Sequence, residues 1–459
     1  MRCGFQCCAG RLLAAAAVLA AAAAAQSHSH SAPQRFARES CTVTEFGAVG
    51  DNRTVNTRAF RAAVLACATV VVPPGWFITG ALNLTSHQRF QLEAGAVVAA
   101  VWDGLVTNAT LLEEYPRTPG VPPFGHHPGN IPSFRTRPSA LVSARHATNV
   151  SIVGAGGTAY TKAASTINGL GWHWRSATST FDTTFSLVEF YNCTDVTISG
   201  VTVANAATWS VHPFDCEGVH IWNVSVVGPR WLGGVSGIHP DSARNVVIED
   251  CFVDVGDDGI VVASYHDFYG VPKPSANITV RRCTVLSRNI AIGAGTAGGI
   301  RDILFEDCVV GDDAGSSPWA FKIKSQTNSP AIIERITVRR LRLGRIQPNA
   351  WQQPKPEPAI NIGIQYGENI TALPVLRDVV IEDVAGTFAA VAGSILGLSQ
   401  SPIMNLTVRN VTFQHYTRGW SCAHVDSANI SHVAPALDCP TWTVRPADLL
   451  LSTSVTRPV

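Results

Sequence analysis

A short phrase recurs along the middle of this chain: one polar turn residue, then an alternating run of β-formers. It reads Asn149-Val150-Ser151-Ile152, Asp195-Val196-Thr197-Ile198, Gly218-Val219-His220-Ile221 and Asn245-Val246-Val247-Ile248. It continues as Asn277-Ile278-Thr279-Val280, Asp302-Ile303-Leu304-Phe305, Arg335-Ile336-Thr337-Val338, Asp378-Val379-Val380-Ile381 and Asn405-Leu406-Thr407-Val408. From Val196 onward the anchors step by 23, 27, 32, 25, 33, 43 and 27 residues. Period-two alternation turns one side of each run inward and the other outward. No helical phrase separates the runs. Repeats of this length built from short strands indicate an all-β solenoid, whose coils bury their inner faces only by stacking on one another. Residues 41–440 are expected to form this one body, followed by a tail over 441–459. The run from Ala59 to Ala68, around Phe60, reads as a short amphipathic helix capping the N-terminal end. Residues 101–140 are rich in Pro, Gly and His and read as a long insertion.

With 46% hydrophobic residues, the chain can fill such a core. A net charge of +1 with 15% charged residues gives no global pull toward nucleic acid or an anionic membrane. An acidic substrate would have to meet a local basic patch. Arg2 and Arg11 precede an apolar run from Leu12 to Ala25 that ends in small residues, which reads as a signal peptide over 1–25. A disordered leader is expected over 26–40. A secreted protein follows, extracellular or in the cell wall, and sequons from Asn52 to Asn429 fit glycosylation. Cys41 with Cys67 and Cys422 with Cys439 are the candidate disulfides. Cys193, Cys216, Cys251, Cys283 and Cys308 occupy similar places near the strand phrases and read as internal thiols. No Cys/His spacing suggests zinc.

Gly256-Asp257-Asp258-Gly259 interrupts a run of β-formers. Adjacent side chains on a regular strand point to opposite faces, so both carboxylates serve one site only where the backbone bends, as flanking Gly permits. Paired carboxylates in an open groove point to acid/base work on a sugar. The alternative is a solvated turn. Gly311-Asp312-Asp313 repeats the string without those surroundings and reads as a loop. Trp172 and Trp174 stack on sugar rings if exposed and are packing if buried; packing is the expectation.

Several further blocks carry a resemblance. They are Glu45-Phe46-Gly47-Ala48-Val49-Gly50-Asp51, Val70 to Gly75 with Thr79-Gly80, the Gly-rich stretch from Gly154 to Trp174, and Trp209-Ser210-Val211-His212-Pro213. The most specific are Gly237-Ile238 with Pro240-Asp241-Ser242, then Gly256-Asp257-Asp258. Together they make the chain resemble the polygalacturonases, glycoside hydrolase family 28, over nearly the whole mature length. The resemblance implies a right-handed parallel β-helix of roughly ten coils. It also implies cofactor-free hydrolysis of α-1,4-galacturonosyl bonds in pectin-like polysaccharide, with inversion. Asp257 is then the general acid and Asp258 the base. A monomer is expected, with an acidic polysaccharide as its partner and no metal, nucleic acid or membrane.

The chain departs from the family pattern around those carboxylates. The family's third Asp falls on Ser236, and its His falls near Ser287-Arg288-Asn289. Its Arg-Ile-Lys falls on Lys322-Ile323-Lys324. Lys322 and Lys324 share a face by period two and are candidates for substrate binding, with Ser236, Arg288 and Tyr366 as further candidates. His239 and Asp241 lie close in sequence to Ser236 and are candidates to compensate for it, but on a regular strand Ser236, Ile238 and Pro240 share one face, which places His239 and Asp241 on the other and favours turn and packing roles. Three readings stay open beside the pectin hydrolase: a hydrolase shifted to another glycan, an impaired β-helix that only binds wall polysaccharide, and a lyase.

Overall fold

The computed structural model describes residues 36–443, apart from 103, 106–110, 112, 120–135, 157–160, 175–184, 266–270, 316, 327–329, 350–352 and 367–371. The expected signal peptide, His126, His127 and most of the C-terminal tail lie outside the described residues. The body is a right-handed parallel β-helix whose coils visit three parallel sheets in turn.

The first sheet holds the recurring phrase. Its strands include Thr148–Gly154, Thr194–Ser199, Glu217–Trp222, Arg244–Glu249, Ser275–Arg281 and Ile300–Glu306. It continues into Ile332–Ile346, Val375–Leu396 and Met404–Ala423. Val150, Val196, Val219, Val246, Ile278, Ile303, Ile336, Val379 and Leu406 are register partners, each with the next. All are buried. The turn residue before each of them is left-handed, with φ from 51° at Asn405 to 72° at Gly218. Asn, Asp and Gly tolerate that region best, which is why the phrase opens on them; Arg335 is the exception. These residues also form rungs. Asn277 Nδ2 donates to Asn245 Oδ1 at 2.8 Å, and Asn405 Nδ2 to Asp378 Oδ1 at 2.6 Å.

The second sheet includes Thr166–Asn168, Thr202–Ala204, Ser225–Val227 and Phe252–Asp254. The third includes Val188–Tyr191, Val211–Phe214, the bridged segment 238–241, Ile260–Ser264, Ile290–Thr296, Phe321–Gln326 and Pro358–Tyr366. The turns between second and third sheets carry the candidate site.

The buried thiols form two ladders rather than one. Cys193 and Cys216 lie just before first-sheet strands, whereas Cys251, Cys283 and Cys308 lie just after them. Each Sγ lies within hydrogen-bonding range of a backbone carbonyl, as Cys308 does with Glu306 O at 3.2 Å.

The helix spans Thr57–Ala66. Phe60 is fully buried against Phe77 and Phe90, with ring centroids 5.9 and 6.4 Å apart. Buried Gln88 donates to the helix-end carbonyl of Val64 at 2.7 Å and to Cys67 O at 2.8 Å. The first strand, Arg38–Thr42, begins inside the stretch expected to be leader, because it pairs with Cys67–Val72 and is tied to it by Cys41–Cys67. At the other end Cys422–Cys439 links the last long strand to the chain beyond it, and Trp442 Nε1 donates to Ser399 O at 3.1 Å. The tail therefore starts as part of the body. Arg117–Pro119 and Thr136–Pro138 pair antiparallel within the expected insertion. Gly311-Asp312-Asp313 opens a turn closed by Gly315 N to Asp312 O at 3.1 Å. Among the described residues no helix is long and apolar enough to cross a membrane.

Cys41–Cys67 closes a loop of 26 residues. The double variant Cys41→Ala/Cys67→Ala is expected to keep the fold and lose about 3 kcal/mol of unfolding free energy. Urea denaturation under oxidising conditions checks this, with strand content followed by circular dichroism.

Candidate active site

Asp257 and Asp258 occupy the turn between Phe252–Asp254 and Ile260–Ser264. The glycines allow this turn to press against the coil before it: a Cβ at Gly256 would collide with the carbonyl of Leu232. Asp257 N donates to Val235 O, and Gly237 N to Asp258 O, both at 3.0 Å. The turn thus joins the coil stack while both carboxylates reach one site.

Their surroundings differ. Asp257 Oδ2 accepts from Gly234 N at 2.7 Å, and Oδ1 from Asp258 N at 2.9 Å. Arg288 Nη1 reaches Oδ1 at 3.1 Å. Burial and the neighbouring Asp258 charge raise the Asp257 pKa above its ordinary value, against the pull of Arg288, Lys324 and Gly234. Burial also acts to raise Asp258. It is outweighed by Lys324, whose Nζ donates to Oδ2 at 2.6 Å, with Lys322 and Arg288 assisting, so Asp258 stays below its ordinary value. The Asp257 side chain is 21% exposed and that of Asp258 11%, so solvent reaches both. Two adjacent carboxyls with pKa values pushed apart are equipped to hold and to take a proton at the same pH.

Lys322 and Lys324 lie on the outward face of Phe321–Gln326, between the buried side chains of Phe321, Ile323 and Ser325. Lys322 Nζ sits 4.6 Å from the Trp319 ring centroid, and burial lowers its pKa. Ser236 is buried one coil before Asp258, and the Ile238–Ile260 bridge puts the two in register. Arg288, in the Ser287-Arg288-Asn289 stretch where the family histidine was expected to fall, places its guanidinium on Asp257. Tyr366 pairs through its backbone with Gln326, and its side chain lies outside the described residues.

His239 and Asp241 stand on the outward face of the third sheet, with Ile238 turned into the core. The alternation begins at Ile238; Ser236 belongs to the turn before it, so face parity does not carry back to it. His239 is buried, and its pKa is pushed down to about 3, first by burial and then by His212 and Lys324, against Asp241 and Asp258. Its imidazole is therefore neutral and within the electrostatic field of the Asp258–Lys324 pair. From the sequence it was expected in a turn and packing role, with compensation for Ser236 as the lesser alternative. Beside it, His212 Nδ1 is 3.3 Å from Glu189 Oε2, and Nε2 is 3.6 Å from Asp241 Oδ2. Burial opposes a charge on His212, but the two carboxylates prevail and raise its pKa.

Trp174 packs edge-on against Tyr115 and Phe185, at 5.1 and 4.8 Å, as expected of a packing residue. Trp172 is 40% exposed. Trp231, which the sequence did not single out, is 57% exposed in the turn that donates Gly234 N to Asp257. Among the described residues no cluster of three or more His, Cys, Asp or Glu could hold a metal ion.

The family model for glycosyl hydrolases family 28 matches residues 134–432. A protein named "Probable polygalacturonase" from Vitis vinifera is 28% identical over 415 residues, covering 86% of this chain and 79% of its own. An exopolygalacturonase from Zea mays is 24% identical over 402 residues, covering 82% of this chain and 84% of its own. The crystal structure of a Thermotoga maritima exopolygalacturonase has the same fold, with TM-score 0.67 at 20% identity, over 88% of this chain and 93% of that one. A polygalacturonase from Erwinia carotovora gives TM-score 0.64 at 19% identity, over 88% and 99%.

Carbonyl-detected NMR titration of the two carboxyls is expected to show the Asp257 signal titrating above that of Asp258. Lys324→Met removes the cation on Asp258 and moves its titration to higher pH. Arg288→Ala moves that of Asp257 upward. Equal titration of both carboxyls in the wild type contradicts the assignment.

Proposed function

Because the chain belongs to glycosyl hydrolases family 28, and is thus a glycoside hydrolase, we propose that it is secreted and cleaves α-1,4-galacturonosyl bonds of pectin-like polysaccharide with inversion. The observation that carries this reading is the split environment of the Asp pair. Asp257, with its raised pKa, holds the proton that passes to the leaving glycosidic oxygen. Asp258, kept anionic by Lys324, takes a proton from the water that attacks the anomeric carbon. The Ser236 hydroxyl, in register with Asp258 one coil before, orients that water in place of a third carboxylate. Lys322, Lys324 and Arg288 supply the local basic patch that a uronate carboxylate requires and that the chain's overall charge does not provide. The polygalacturonase names of the relatives support the same substrate class.

Ser236 also favours a second reading, a β-helix that binds wall polysaccharide without cutting it. A hydroxyl is a poor base near neutral pH, and Asp258 is itself engaged by Lys324.

Incubation with polygalacturonate is expected to release saturated reducing ends. Asp257→Asn should lower the rate by about 10²–10⁴-fold. Rate should rise with pH as Asp258 ionises and fall at higher pH as Asp257 loses its proton, giving a bell on the acidic side. Glycan affinity without turnover, unchanged by Asp257→Asn, would establish the second reading; unsaturated products would establish a lyase.

A further inference from the structure

The turns between second and third sheets carry more than the carboxylates. Trp172 follows Thr166–Asn168, Trp231 follows Ser225–Val227, and Asp257 follows Phe252–Asp254. These strands belong to one stack, in which Thr166 pairs with Thr202, Thr202 with Ser225, and Ser225 with Phe252. The Trp231 turn is therefore one coil before Asp257, and the Trp172 turn is two coils before that of Trp231. At one strand spacing per coil these offsets are about 5 Å and about 14 Å from the Asp257 coil.

Both indoles are exposed on anchored supports. Arg230 holds Asp254 at 2.6 and 3.0 Å on one side of Trp231, and Gly234 N holds Asp257 at 2.7 Å on the other. Leu232 N closes the turn onto Pro229 O at 3.0 Å. Trp172 lies in the helical turn Gly171–Trp174. There His173 stacks on Trp102 with centroids 3.9 Å apart, and Trp174 is wedged against Tyr115 and Phe185. Trp209 and Trp319, in other turns of the same stack, are only 2% and 7% exposed. This corner thus buries tryptophan readily, yet two stay exposed on fixed turns. An exposed aromatic by itself is ordinary, as at Trp222 and Tyr416, but two on anchored turns in the same stack as the Asp257 turn make a surface, and an indole face suits the apolar C–H face of a pyranose ring.

We propose that Trp231 and Trp172 form an aromatic track that binds a pectin-like chain beyond the cleaved bond, running from Asp257 toward the N-terminal coils. The direction follows from the coil order, and the occupant from the continuity of the track with the carboxylate and lysine site. The assignment rests on the glycan-processing reading of that site. The track discriminates by chain length: a dimer at the Asp pair does not reach Trp172, whereas a longer oligomer spans both rings.

The test measures affinity for galacturonate oligomers of two and of eight units by calorimetry, in Asp257→Asn protein so that nothing is cleaved. Trp231→Ala and Trp172→Ala are each expected to weaken the octamer about three- to tenfold. Trp172→Ala should leave the dimer unchanged. Trp231→Phe, which keeps an aromatic face, should retain most of the affinity and guards against misfolding of the alanine variant. Unaltered octamer affinity in both alanine variants overturns the track, as does absence of any oligomer binding. Turnover by wild type in that first case leaves the hydrolase reading standing. Tryptophan-dependent, length-dependent binding by a wild type that cuts nothing upholds the track and removes the hydrolase reading.

Discussion

Everything in this protein depends on the in-register stacking of one coil on the next. A single coil has two faces of backbone and an inner row of side chains, and can satisfy neither alone. The continuous row from Val150 to Leu406 solves the second problem, and parallel pairing in three sheets solves the first. Register is restored at each turn by a left-handed residue, from Asn149 to Asn405, whose side chain can also hold the rung above or below. The ends are where stacking fails. There the chain uses a helix with Phe60 as its plug and one disulfide at each end.

The same stacking creates the site. Lys324 is 66 residues from Asp258, and Arg288 is 31 from Asp257, yet each is within hydrogen-bonding distance. Successive coils deliver them to one corner. The two carboxyls share burial and differ in partners: one leans on a backbone N–H, a guanidinium and its neighbour's charge, the other on an ammonium. That difference orders their proton affinities, and such ordering is what acid/base cleavage of a glycosidic bond needs. Neutral His239 lies within the electrostatic field of Asp258 and Lys324, and His212, whose pKa the two carboxylates raise, lies between Glu189 and Asp241.

Much of the fold was legible because its causes are local. Alternation at period two and turn residues suited to positive φ are written residue by residue, so the anchors of the first sheet could be read directly. The disulfides were legible from their places near the chain ends. What depends on phase was not. The five thiols stand at two different corners, and their common neighbourhood in sequence hid this. His239 was assigned away from the site because alternation was extended across a bend that ends at Gly237. Trp231 sits among Gly and Pro, where nothing local tells whether an indole is covered. Arg288 was read as a candidate cation for the groove from its place near a gap in the family pattern, whereas its contact with Asp257 is a property of stacking.

We propose that one turn's two carboxylates divide into acid and base across a single displacement. Proton NMR of the reducing-end anomer during the first minutes of polygalacturonate hydrolysis tests it most directly. The β-anomer is expected to appear first and the α-anomer only by mutarotation. First appearance of the α-anomer would mean retention through a covalent intermediate and would contradict it.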